Sequence, residues 1–290
     1  MSDVVSTRGG TLARGADRRA HAVARRQRTW LVPLGRAGYA AKGVVYLLVG
    51  LLAAQAAFGR GGDTTDTEGA LLHILQAPSG SLLLGLVAVG LVGYALWCWL
   101  AAALDAEHKG TGAEGLVERM GYAVSGLIYA GLAATSVGLL MGTSAGSGGD
   151  QATQDRTAWL MSQPFGPWLV AAVGLIVLGV AVAHVRLGVR ADFGDRFQAN
   201  AVGPGERDWV VSMGRIGYAA HGVALGLIGV FLLVAAVQSR PDQARGLGGA
   251  LAALVQQPFG PWLLALLGVG LAAYGGFMFV EARYRRMVID

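Results

Sequence analysis

Apolar residues gather along the chain into six long stretches separated by short polar connections. They run from about Ala37 to Phe58, Leu82 to Leu104, Met120 to Met141, Trp168 to Val185, Ile216 to Val237 and Trp262 to Val280. A bilayer core about 30 Å thick needs roughly 20 mainly apolar residues at about 1.5 Å each, and every stretch approaches that length. Strands of a membrane barrel would be about 10 residues long and alternate in polarity. No such segment is visible. The pattern predicts an all-α integral membrane protein with six transmembrane helices. The longest connection on one side, about Leu187 to Gly214, is expected to carry a short amphipathic helix.

The stretches also repeat in pairs. The first helix of each pair opens alike: Arg36-Ala37-Gly38-Tyr39-Ala40-Ala41-Lys42-Gly43, Arg119-Met120-Gly121-Tyr122-Ala123-Val124-Ser125-Gly126 and Arg215-Ile216-Gly217-Tyr218-Ala219-Ala220-His221-Gly222. The second helix follows Pro78-Ser79-Gly80, Pro164-Phe165-Gly166-Pro167-Trp168 or Pro258-Phe259-Gly260-Pro261-Trp262, each preceded by a short apolar run too short to span. Such a run suits a one- or two-turn helix lying on the outer face. Three tandem hairpins are expected at residues 34–106, 117–190 and 213–287, after an Arg-rich, disordered tail at 1–33. A unit of two spans enters the membrane each time in the same direction, so the copies should be related by a pseudo-threefold axis along the membrane normal. Arg36, Arg119 and Arg215 suit the headgroup level. Gly38, Gly43, Gly121, Gly126, Gly217 and Gly222 suit close helix packing in lipid.

Composition then narrows the class. Charged residues make up 14% of the 290, apolar residues 54%, and mean hydropathy is +0.50. A soluble chain carries about 25% charged residues, so a water-soluble enzyme is excluded. The single Cys excludes a disulfide scaffold. The net charge of +5 is not a nucleic-acid signal, because 19 of the 23 Lys and Arg lie on the side of the termini and 4 on the other. That split predicts a multi-pass protein of a bacterial cytoplasmic membrane with both termini inside.

Little chemistry is written in the motifs. The five histidines show no zinc-ligand spacing, no phosphate-binding Gly pattern is present, and no catalytic constellation is visible. The chain is therefore read as a non-enzyme without a cofactor. A weaker reading pairs His184 with His221 as haem ligands, since their depths roughly match. The candidate intramembrane polar site is Lys42, Ser125 and His221 at one repeat position, His184 near the end of the fourth span, and Tyr39, Tyr122 and Tyr218 on the same helix sectors. Two readings of this set compete. Lys42 lies only about 9 Å beyond Arg36 and can snorkel to the headgroups; or the sectors face one another and enclose a polar inner-leaflet cavity. Two functions follow. One is a structural or accessory bundle whose partners are membrane lipids, a partner membrane protein or further copies of itself. The other is a path for a small solute, ion or proton.

The triplicated Arg-x-Gly-Tyr-x-x-x-Gly, the Pro-Phe-Gly-x-Trp-Leu motif and the closing Glu281-Ala282-Arg283-Tyr284-Arg285-Arg286 resemble the bacterial membrane family called domain of unknown function 1206. The resemblance covers about residues 34 to 287. It implies the same six-helix fold and carries over no activity or functional residue.

Overall fold

The computed structural model describes residues 32–59, 62, 64–104, 112–143, 149–191, 193 and 203–285. The expected tail falls almost wholly outside these residues. Every regular element described is helical. Six helices are long and apolar enough to cross a membrane: α1 (Val32–Ala57), α3 (Gly80–Leu104), α4 (Ala113–Leu140), α6 (Gly166–Arg190), α7 (Pro204–Gln238) and α9 (Gly260–Tyr284). Three short helices precede the second span of each pair: α2 (Thr67–Gln76), α5 (Asp150–Met161) and α8 (Leu247–Val255). The end of the bundle carrying them is the cap, and the opposite end is the base.

The expected connection is shorter at the base. α6 runs on to Arg190 and α7 already begins at Pro204, and the expected short amphipathic helix between them falls on residues 192 and 194–202, outside the described residues. Pro204 suits a first helical turn, where no backbone donor is lost. Glu206, Arg207 and Asp208 are exposed and extend the helix as a polar stem below the apolar stretch.

The Pro-x-Gly motif makes a tight corner from each short helix into the next span. Ser79, Phe165 and Phe259 have φ near +60° (59°, 60° and 60°), a left-handed conformation seldom adopted by such residues. The following glycine N–H groups, of Gly80, Gly166 and Gly260, donate to the carbonyls of Ala77, Gln163 and Gln257 at 2.8, 2.9 and 2.8 Å. A Cβ on any of these glycines would collide with the carbonyl of Leu75, Met161 or Val255. The corner therefore requires glycine, three times over.

The same register builds the seams between hairpins. A Cβ on Gly43, Gly126 or Gly222 would lie 2.9, 3.1 or 2.8 Å from the carbonyl oxygen of Gly275, Ala95 or Ala181. These are equivalent positions on α9, α3 and α6. Small residues let the backbones meet, which is what holds helices together in lipid. At two of these seams the helix-opening arginine also reaches the C-terminus of its neighbour. Arg119 donates from Nε to the Ala102 carbonyl of α3 at 2.7 Å, and Arg215 from Nη2 to the Val189 carbonyl of α6 at 3.3 Å. A cation there satisfies orphan carbonyls and opposes the negative helix end. These arginines therefore act as helix caps.

The seams inside the hairpins do not repeat. In the first, a Cβ on Gly38 would lie 2.5 Å from Tyr94, and in the third a Cβ on Gly217 would lie 2.6 Å from Tyr274. Gly90 closes on Ala41, and Gly270 on Ala220. In the second hairpin the matching contact would join Val124 to Ile176, two branched side chains in place of an alanine and a glycine. That pair is too bulky for backbone contact, and α4 and α6 do not pack along one another. A Cβ on Gly121 would meet nothing within 4 Å. Val124 and Ile176 are 49% and 61% exposed. The ring of six helices is thus closed at five seams and open at the sixth.

Candidate functional site

The polar residues of the helix-opening motif turn inward at the base half of the bundle. Lys42 is buried at 8% exposure, an expensive place for an ammonium unless its charge is compensated. Tyrosine rings supply the compensation. Lys42 Nζ lies 5.1 Å from the ring centroid of Tyr94, 5.2 Å from Tyr129, 5.3 Å from Tyr274 and 6.0 Å from Tyr46. A desolvated cation–π contact is worth about 2 kcal/mol. The one hydrogen bond that Nζ donates, to Tyr94 Oη, is long at 3.4 Å. The side chain does not snorkel.

His221 shares two of those rings. It stacks on Tyr274 at 4.3 Å and meets Tyr46 edge-on at 4.9 Å. On its far side His184 approaches at 5.1 Å. His184 Nδ1 pairs with the Val180 carbonyl of its own helix at 2.9 Å. His221 Nδ1 is buried and has no hydrogen-bond partner among the described residues. The two imidazoles touch edge to face, which leaves no room for a porphyrin between them.

Toward the base the cluster continues through Tyr39, in edge contact with Tyr94 at 5.0 Å. Arg285 lies over the Tyr39 ring at 4.9 Å, pairs with Glu281 at 2.8 Å and donates to Tyr122 Oη at 3.2 Å. This ion pair is almost fully buried, so each partner depends strongly on the other. Tyr218 joins the opposite flank, between Tyr274 at 5.2 Å and His184 at 5.4 Å.

The structure thus brings Lys42, His221, His184, Tyr39, Tyr122 and Tyr218 into one connected cluster. Ser125 is half-buried on α4 and takes no part in these contacts. The helix-opening motif does not point to Tyr94, Tyr274, Glu281 and Arg285, which the cluster also contains. Tyr94 and Tyr274 did carry a signal. They occupy the same position of the second helix in copies one and three, where copy two has Val180.

A cavity of about 630 Å³ opens at the cap, lined by Asp66, Glu68, Asp150, Thr135, Gly149 and Gly249 among others. Two of its carboxylates are occupied structurally. Asp66 Oδ1 accepts from Gly69 N at 2.8 Å, and Asp150 Oδ1 accepts from Gly246 N and Gly249 N at 2.8 and 3.0 Å. Among the described residues, no group of three His, Cys, Asp or Glu side chains gathers in a way that could hold a metal ion.

Six apolar spans in three repeated hairpins, around a tyrosine-caged cation, define a six-span helical membrane protein. The chain belongs to the family Domain of Unknown Function (DUF1206), which matches it three times, at residues 37–105, 120–191 and 216–285. It is similar to the uncharacterized protein YxxB of Bacillus subtilis (strain 168), 34% identical over 273 residues that cover 93% of this chain and 97% of that one. No solved structure matches it.

Proposed function

We propose that the protein is an accessory binding bundle of the bacterial cytoplasmic membrane that receives an apolar segment, of a lipid or of a partner membrane protein, between α4 and α6. One observation carries this reading. The same glycine that meets a neighbouring backbone in hairpins one and three, at Gly38 and Gly217, meets nothing at Gly121. An unfilled small-residue notch inside a bilayer is a place for another chain to pack. The spans beside it are also the least enclosed: 17% of the α6 window and 28% of the α4 window are buried, against 56% for α1 and α3 and 61% for α9. A photo-crosslinking residue at Ile176 is expected to give one discrete adduct, lipid in liposomes or protein in native membranes. The same residue at Leu266, 72% exposed on the outside of α9, is expected to label diffusely. Equal diffuse labelling at both positions overturns the reading.

A second reading, a proton or ion path, is favoured by the chain of contacts from Lys42 through Tyr274 to His221 and His184. It requires a pH leak in proteoliposomes that disappears in a Lys42→Met, His221→Leu variant.

A further inference from the structure

The floor of the open seam is polar, although its walls are not. Lys42 crosses from α1 to within reach of Tyr129 on α4, and His221 crosses from α7 to His184 on α6. Between them Tyr46 and Tyr274 contact both residues. On α6, copy two places no tyrosine: its counterpart of Tyr94 and Tyr274 is Val180, 38% exposed. The ring of tyrosines around the cluster is therefore interrupted at α6, beside the gap.

Two groups of that floor keep unused hydrogen-bonding capacity. Lys42 forms no ion pair among the described residues, and its ammonium has three donors with one long hydrogen bond between them. Glu281 is already bound to Arg285. His221 is only 7% exposed, and its Nδ1 is unpartnered. A buried cation and a buried orphan nitrogen on the same two rings call for one anion with two acceptor atoms. We infer that the seam binds a single-chain fatty carboxylate, with its head on Lys42 and His221 and its chain between α4 and α6. The inference rests on the seam being a binding site, as proposed above. Depth selects a fatty acid over a phospholipid. Lys42 lies about 9 Å along the helix beyond the arginine level, below the plane of phosphates. A lone carboxylate can be drawn there without a glycerol or second chain.

The test is equilibrium binding to the purified full chain in neutral detergent, read by native mass spectrometry. Oleate, oleyl alcohol, phosphatidylglycerol and phosphatidylcholine are the probes. Oleate should bind one to one and roughly tenfold more tightly than oleyl alcohol, which shares the chain and lacks the charge. Lys42→Gln and His221→Phe should each reduce oleate to the level of the alcohol while leaving the alcohol unchanged; the Phe keeps the stack on Tyr274 should the Lys42 variant fail to fold. Gly131→Phe, on the same face of α4 as Val124 and open around an added Cβ, fills the seam on the membrane side of the head and should weaken both probes. Equal binding of oleate and alcohol, or a preference that survives both head variants, overturns the fatty carboxylate. So does phosphatidylglycerol matching oleate. Unchanged binding of every probe to Gly131→Phe overturns the seam itself, whatever the head variants do.

Discussion

At the scale of single residues, glycine does two different jobs at one motif position. Gly38 and Gly217 admit a neighbouring helix, whereas Gly121 admits nothing the described residues supply. The same substitution should therefore have opposite signs. Gly38→Ala or Gly217→Ala forces a methyl into the backbone of Tyr94 or Tyr274, neither of which can swing aside, and overpacking of this kind costs about 1–3 kcal/mol. Gly121→Ala meets no atom and gains about 0.5–1 kcal/mol of helix propensity. Thermal unfolding in detergent is expected to show two lowered midpoints and one unchanged or slightly raised. A lowered midpoint for Gly121→Ala, in protein freed of bound lipid, would mean that the second hairpin closes like the others.

At the scale of elements, the short cap helices are tied to one another across repeats. In copy one, Asp66 caps its own helix through Gly69 N. In copy three the equivalent cap position is Gly246, which has no side chain. Asp150 of copy two supplies the missing acceptor to Gly246 N and Gly249 N of α8. Asp150→Ala should therefore destabilise α8 and not α5, by about 0.5–2 kcal/mol, seen as faster amide exchange confined to residues 247–255. On the neighbouring side Arg156 reaches Glu68 at 3.6 Å. Partial burial, with Asp66 beside it, nevertheless pushes the Glu68 carboxyl above its ordinary range. The folded cap then holds a proton that the unfolded chain has released, so its stability is greatest at acid pH and falls as pH rises through the shifted value. Amide protection in α2, corrected for the intrinsic rise of exchange with pH, should fall from pH 4 to pH 7, and Glu68→Gln should flatten that slope. Elements of this kind mark how far the sequence could be read. The spans and the triplication were legible because apolar length and motif repetition are local. Tyr94 and Tyr274 were not, because their meaning depends on which helix faces them. The start of α7 was missed because Glu206, Arg207 and Asp208 read as loop by polarity, although a helix in water at a membrane surface is polar by necessity. The open seam was written in Val124 and Ile176, yet became visible only beside the Ala–Gly contacts that replace them in the other two hairpins.

At the scale of the whole molecule, two-span repeats put all three cap helices on one side of the membrane and all three helix-opening arginines on the other. Burial and charge predict the same sidedness for the two ends. Trp168 and Trp262, 77% and 70% exposed, stand at the cap ends of α6 and α9, where an interfacial ring is wanted. Arg119 and Arg215 stand at the base, capping helix ends on the side to which the order of the spans allots 19 of the 23 basic residues. The positive-inside bias therefore predicts a cytoplasmic base and an exterior cap. The lone Cys98 makes the assignment easy to examine, since it is fully buried and gives a silent background to thiol labelling. Single cysteines at Gln151 and Asp242, both at the cap and open to solvent, should react with a membrane-impermeant maleimide in intact spheroplasts. Cysteines at Glu206 and Asp208, exposed on the stem of α7, should react only after the membrane is opened. The reverse pattern would invert the protein and leave the fold intact. Labelling of Gln151→Cys and Asp242→Cys from opposite sides would be incompatible with three parallel hairpins, because copies two and three could then no longer enter the bilayer in the same direction.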